Sequence, residues 1–265
     1  MKLTEKQIEA FDHNGVLVIE ELFNKEEVAE MKSGILSFEN DKALDNVICE
    51  ENGDVRSVFA PDKTNSTFHR TSRDTRLIAP ASDLLREDIY LYQYKLNLKR
   101  AFSGKSWEWH QDFAYWQLDD GVPNPDMLSI MLYLDDTKSY QGPLVVIPGS
   151  HKYGVVEFNS KIHLDGTDNL MNSLGADLKY TVHERNIRDL ADECGIQVIE
   201  GKAGTAVFFH SNLFHSSWGN LSPYGRDTAI LTYNSVNNLP KFKDKRPDYL
   251  CARDYTPIVP ELVVI

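Results

Sequence analysis

The chain is expected to be mainly β, a barrel or sandwich with flanking α-helices, and three observations lead there. Strand-like segments recur from residue 89 onward, helix starts gather in the first forty residues, and turn residues bound nearly every apolar run.

The two helix starts are Thr4-x-x-Gln7 and Asn24-x-x-Glu27. Each matches a capping box, in which a side-chain oxygen satisfies a free amide of the first turn. Between them Gly15-Val16-Leu17-Val18-Ile19 reads as a short strand, and the polar, turn-rich residues 41–80 as loops. Ile89 to Leu98 alternates, which places Tyr90, Tyr92 and Tyr94 together on one face as sheet packing. Further strands are expected at Leu128–Leu134, Pro143–Ile147, Ile196–Ile199, Thr205–Phe209 and Thr228–Asn234. Residues 155–195 break the pattern with polar, partly helical sequence, an insertion of the kind that forms a lid. His163 and His183 within it are read as solvent-exposed.

With 265 residues the chain suits one domain, 1–265, around one sizeable core. Lys+Arg total 28 against 40 Asp+Glu, a net charge of −12, which repels phosphate backbones and anionic membrane surfaces. No nucleic-acid or membrane partner is therefore expected. Cys49, Cys194 and Cys251 are widely spaced and odd in number, so neither a zinc knuckle nor a disulfide framework is indicated. With no signal-peptide pattern after Met1 and only strand-sized apolar runs, the expected location is the cytoplasm.

The chemistry concentrates at Trp109-His110-Gln111-Asp112-Phe113. In an extended segment residues two apart share a face, so His110 and Asp112 offer an imidazole and a carboxylate to one ion. A distant histidine would complete a 2-His-1-carboxylate triad, which leaves positions open on iron(II). A lone His-x-Asp is more often a surface pair, so the second half matters. Thr205-Ala206-Val207-Phe208-Phe209 reads as a buried strand and leads into His210 and then His215, either of which can serve, with His210 preferred as a core histidine. Eleven residues past His215, Arg226 enters another strand, where a guanidinium can grip a carboxylate in a fork; a loop-capping arginine is the bland alternative. Trp107 and Trp109 are read as packing or as pocket lining. His151 is read as structural. Arg56, in the polar stretch 51–75, is a candidate grip for a substrate carboxylate, with a surface arginine as the alternative.

The spacing His110-x-Asp112, then His215 and Arg226, resembles the phytanoyl-CoA dioxygenase superfamily of iron/2-oxoglutarate oxygenases, closest to its bacterial amino-acid branch of ectoine hydroxylases and a free-leucine 5-hydroxylase. The likeness is carried by Tyr92-Gln93-Tyr94-Lys95-Leu96-Asn97, Trp109 to Trp116, Asp120-Gly121-Val122-Pro123, Gly142-Pro143 through His151, Asn220-Leu221-Ser222-Pro223 and Thr232-Tyr233-Asn234. It implies a double-stranded β-helix (jelly-roll) core and the use of Fe(II), 2-oxoglutarate and O2 to hydroxylate a small molecule. It also implies roles by position: His110, Asp112 and His215 for the metal; Lys95, Ser129 and Arg226 for 2-oxoglutarate, with Trp107 lining that pocket; Gln93 and Trp116 for substrate. The retained carboxylate Asp112 favours hydroxylation, since related halogenases carry a small residue there. Ectoine hydroxylases differ at the positions of Gln111, Ala114 and Gln117, whereas His110-Gln111-Asp112, Arg246-Pro247-Asp248-Tyr249 and Arg253 to Pro257 look more like the leucine enzyme. A free amino acid or derivative is the expected substrate; another biosynthetic intermediate, a phosphonate, an acyl-CoA, or a non-oxidative metal-binding role are the alternatives.

Overall fold

Helices α1 (Glu5–Asn14) and α2 (Lys25–Asn40) begin at the two capping boxes read from the sequence, with Thr4 and Asn24 accepting from the Gln7 and Glu27 amides. The computed structural model describes residues 2–160, 178–242 and 246–261. Strand β1 (Val16–Ile19) lies between the helices, after Gly15 ends α1 at φ 72. A left-handed residue of that kind is the usual helix stop, and glycine adopts it without a Cβ penalty.

Residues 41–80 are not loops. They hold β2 (Val47–Cys49), β3 (Val55–Phe59), α3 (Ser66–Ser72) and α4 (Thr75–Leu85). Asn65 and Asp74 cap the two helices, and Phe68, Leu77, Ile78 and Ala81 are buried. The polar caps made the region read as turns, and Pro80 inside α4 hid the helical period.

The rest of the chain supplies β4 (Ile89–Lys99), β5 (Trp107–His110), α5 (Asp112–Asp120), β6 (Met127–Tyr133), β7 (Leu144–Val146), β8 (Phe158–Ser160), β9 (Tyr180–Val182), α6 (Glu184–Cys194), β10 (Gln197–Ile199), β11 (Ala206–His210), β12 (His215–Ser217) and β13 (Arg226–Ser235). Seven strands form one sheet in the order β1-β11-β6-β13-β4-β3-β2, and four form a second in the order β10-β7-β12-β5. The two sheets face each other as a jelly-roll core, mainly β with flanking helices.

The larger sheet is covered on both faces, which explains why β6 and β11 read as almost unbroken apolar runs. One face packs Leu96, Leu128, Ile130 and Leu231 against Phe11, Met31, Phe38 and Leu77 of the helices. The other packs Met131, Tyr133, Phe209 and Ile230 against Leu144, Val146 and Ile199 of the smaller sheet.

The three tyrosines of β4 do not share a face. Tyr90 and Tyr92 pack with Trp116 in one cluster, whereas Tyr94 lies in the helix-side core. The cause is a register shift: Thr232 faces Gln93 but Tyr233 faces Leu91, leaving Tyr92 as an extra residue. A one-residue slip exchanges the two faces of a strand. Gln93, Lys95 and Asn97 thereby point between the sheets beyond the bulge.

Among the described parts of 155–195, β8 and β9 form a two-stranded sheet and α6 supplies the helical portion. His183 is exposed and caps α6, while His163 falls outside the described residues. No described helix is long and apolar enough to cross a membrane.

Candidate active site

His110 and Asp112 are not two positions on one strand, as an extended segment would place them. His110 closes β5, and Asp112 opens α5. The turn between them still brings His110 Nε2 to 3.7 Å from Asp112 Oδ1. His215 opens β12, directly opposite His110 in the antiparallel register. Its Nε2 lies 3.9 Å from Asp112 Oδ2, and the two imidazole centroids are 4.1 Å apart. One ligand atom from each of His110, Asp112 and His215 lies within 4.8 Å of the others.

Hydrogen bonds behind these atoms aim them. His110 Nδ1 meets the Glu108 carbonyl at 2.7 Å, and His215 Nδ1 meets the Leu213 carbonyl at 2.9 Å. A carbonyl can only accept, so each Nδ1 carries the proton and each Nε2 presents its lone pair to the centre. Burial, reinforced by His215, pushes the His110 imidazole down to about 3, and burial lowers His215 as well. Both rings are thus neutral near neutral pH, the form that ligates metals. Burial alone would raise Asp112, but His215, Lys95 and His110 together outweigh it and hold its carboxyl below the usual range.

Ser129, fully buried, donates to Asp112 Oδ2 at 3.4 Å and shares a 3.0 Å hydrogen bond with Thr232. It stands behind the carboxylate and is not among the residues lining the cavity. Several other polar residues on the inner face of the large sheet do reach that cavity, which lies between the sheets. Gln93, Lys95 and Asn97 enter it from β4, Arg226 and Ile230 from β13, and Trp107 from β5.

Arg226 is the most informative of these. It is 2% exposed, its Nε has no hydrogen-bond partner, and it pairs with no carboxylate among the described residues. Burial lowers its pKa, yet a guanidinium is not deprotonated in a protein. Its cross-strand neighbour is Lys99. Lys99 Nζ donates to Ser217 Oγ at 2.6 Å and to the Trp218 carbonyl. Burial, reinforced by Arg226 and Arg56, pushes that ammonium down to about 6. A buried arginine that forms no ion pair among the described residues is suited to receive an anion.

Arg56, expected to grip substrate, lies outside the lining. It stacks over Trp107 at 4.0 Å, binds Glu50 at 2.6 Å, and donates to the Ser106 carbonyl at 3.4 Å. Gln93 and Trp116 do line the cavity; Gln93 Nε2 donates to the Leu250 carbonyl at 2.7 Å, and Trp116 sits edge-on to Tyr92 at 5.4 Å. His210 lies apart from the triad, stacked near His151 with ring centroids 5.1 Å apart.

Sequence reasoning missed several lining residues. Arg246 enters from the C-terminal segment, held by the buried Asp120 through its Nε at 2.8 Å and one Nη. Tyr115 and Leu178 complete the opposite side. Tyr115 was legible only once α5 was known, since it follows Asp112 by one helical turn. The Arg246-Pro247 segment carries no sequence signal that it folds back onto the site.

The chain matches the phytanoyl-CoA dioxygenase (PhyH) family over residues 11–228. It is 34% identical over 250 residues to an L-proline trans-4-hydroxylase of Streptomyces griseoviridis, covering 94% of this chain and 93% of that one. It is 31% identical over 259 residues to an ectoine dioxygenase of Streptomyces coelicolor, covering 95% and 85%. A crystal structure of EctD from S. alaskensis with 2-oxoglutarate and 5-hydroxyectoine superposes with a TM-score of 0.83 at 32% identity, covering 98% of this chain and 88% of that one. The chain belongs to the phytanoyl-CoA dioxygenase family. It is a 2-oxoglutarate-dependent non-haem iron dioxygenase, requiring Fe(II), 2-oxoglutarate and O2.

Proposed function

We propose that this enzyme hydroxylates an unactivated carbon of a free amino acid or close derivative, with 2-oxoglutarate leaving as succinate and CO2. The observation that carries the reading is one cavity holding both a buried His-Asp-His set and an arginine that forms no ion pair among the described residues. The donor set suits iron(II): two neutral imidazoles and one carboxylate, with space left for further ligands.

In this reading His110, Asp112 and His215 hold the iron. When bound, the metal supplies the activation of O2 that no side chain can provide. Arg226 pairs with the distal carboxylate of 2-oxoglutarate, and Lys95 adds positive charge from the neighbouring strand. Trp107 forms a wall of that half, braced by Arg56 behind it. Ser129 orients Asp112, fixing which carboxylate oxygen faces the metal. Gln93, Trp116 and Arg246 surround the other half, where an amide, an indole and a guanidinium suit a small zwitterion. The aromatic and aliphatic side chains Phe59, Tyr115 and Leu178 exclude water from that half. Relatives that act on proline and ectoine support a compact substrate. The whole chain, 1–265, is read as one domain built around this site.

The reading is tested by succinate release from anaerobically purified protein given Fe(II), 2-oxoglutarate and ascorbate, then air. Proline, ectoine, leucine and analogues form the panel. At least one should stimulate succinate and gain a single oxygen atom by mass spectrometry. Iron and 2-oxoglutarate binding with no stimulation by any zwitterion, but stimulation by an acyl-CoA or a phosphonate, would overturn the substrate class.

A further inference from the structure

Gln111 lies between His110 and Asp112 and is 3% exposed. It occupies the N-cap of α5, yet its side chain makes no capping hydrogen bond. Serine, threonine, aspartate or asparagine would normally stand there to accept from the first turn. Here the free Phe113 amide donates instead to the Ser211 carbonyl at 3.0 Å.

The Gln111 amide is engaged elsewhere. Its Nε2 donates to the Gly154 carbonyl at 2.7 Å and to the Asn212 carbonyl at 2.8 Å, while its Oε1 accepts from the Val156 amide at 3.2 Å. Three separated segments therefore meet on one buried side chain. The first carries His110 and Asp112. The second is the Ser211–Asn212 turn that leads into His215. The third is the Gly154–Phe158 stretch, whose Val155 and Phe158 pack against the cluster containing Trp107, Tyr115, Trp116 and Leu178. All four of those side chains line the cavity. In the third segment Gly154 adopts φ 69 and ψ −160, a conformation open to glycine, and the Val156 amide donates to the Gln111 side chain rather than to a neighbouring strand.

We propose that Gln111 is a positioning residue that clamps the Gly154–Phe158 stretch, and with it one wall of the cavity, to the two segments that carry the triad. The inference rests on the oxygenase reading of that cavity. The two histidines are held independently, by the pairing of β5 with β12 and by the carbonyls behind each ring, and Asp112 by the Ser129 hydroxyl. Cutting the clamp therefore loosens the wall against which substrate is held, and leaves the metal ligands in place. Co-substrate is then decarboxylated with O2 in turnovers where an added reductant such as ascorbate, rather than substrate, supplies the remaining two electrons.

The test compares wild type with Gln111→Met, which keeps the volume, and Gln111→Ala, which does not. Three quantities are measured: amide hydrogen exchange over 154–158, Fe(II) affinity, and succinate formed per hydroxylated product. Both variants should exchange the Val156 amide about tenfold faster, the loss of one buried hydrogen bond in a locally opening segment. Succinate per product should rise severalfold, with Fe(II) affinity changing by no more than about threefold given the intact second bonds to both histidines. Wild-type exchange in the volume-keeping variant would overturn the clamp. So would a collapse of Fe(II) affinity with succinate per product unchanged, since Gln111 would then merely support the ligands. Hydrogen exchange needs no turnover, so it judges the clamp even if wild type hydroxylates nothing and the oxygenase reading is what fails.

Discussion

Replacing Arg226 by Met should separate binding from stability in opposite directions. In the ligand-free protein Arg226 is 2% exposed, its Nε lacks a partner, and its cross-strand neighbour is Lys99. Burying such a cation without an ion pair costs free energy that a methionine of similar length does not incur. The variant is therefore expected to be as stable as wild type or more stable by about 1–3 kcal/mol. At roughly 2–4 °C per kcal/mol for a chain of this size, the ligand-free melting temperature stays level or rises. Binding of 2-oxoglutarate should move the other way. Loss of one partner of a buried charge pair costs about 2–5 kcal/mol, a rise in Kd of roughly thirtyfold to several thousandfold. The assay is thermal melting of Fe(II)-loaded protein under argon, with and without 2-oxoglutarate. At a hundredfold excess over its Kd, 2-oxoglutarate stabilises wild type by about 2.7 kcal/mol. The variant at the same concentration should keep about a third of that stabilisation or less. A variant that melts lower than wild type without ligand, yet keeps the full 2-oxoglutarate shift, would refute the reasoning, because Arg226 would then be a structural cation already paired.

Asp112→Ala should abolish stoichiometric Fe(II) binding and turnover while leaving the circular dichroism spectrum intact, and His215→Ala should do the same; iron retained by either removes that residue from the set. His210→Gln should still bind iron, because His210 stacks near His151 away from the triad. The same variant tests a pH dependence. Burial, reinforced by His151, pushes the folded-state His210 down to about 4, below an unfolded value of about 6.5. The unfolded chain binds more protons between those values, so this stability is complete above pH 6.5 and falls as pH drops toward 4. By urea denaturation, wild type should lose about 2 kcal/mol more than His210→Gln between pH 7.5 and pH 5; parallel curves would show that His210 does not titrate as described. Trp116→Phe should raise KM for substrate at least several times more than KM for 2-oxoglutarate, and an equal effect on both would place Trp116 outside the substrate half.

Much of the fold was legible because its strands carry their own signals. Alternation in β4, the apolar runs of β6 and β11, and the two capping boxes each encode local structure in adjacent residues. Residues 41–80 were misread because α3 and α4 are short, polar-capped and, in α4, interrupted by Pro80; their burial against the large sheet decides their state. The faces of Tyr90, Tyr92 and Tyr94 could not be assigned from β4 alone, since the bulge that separates them is set by pairing with β13. The triad was legible as residues but not as geometry. Helix α5 starts within the motif, and only the folded chain shows how Asp112 returns to His110. Arg56 and Ser129 illustrate the limit of carrying roles by position: both are buried close to the site, one behind Trp107 and one behind Asp112. Arg246 comes from a C-terminal segment with no periodic signal, so its arrival at the cavity depends on the buried Asp120 that receives it.

The central claim is that one cavity binds iron through His110, Asp112 and His215 and binds 2-oxoglutarate through Arg226. The most direct measurement is an anaerobic titration of metal-free protein with Fe(II) and then 2-oxoglutarate, followed by metal analysis and visible absorption. The account predicts one Fe(II) per chain, a new visible band when 2-oxoglutarate chelates that iron, and loss of the band at the same concentrations in Arg226→Met with iron still bound. An unchanged band in Arg226→Met, or stoichiometric iron in a protein lacking Asp112, would contradict it.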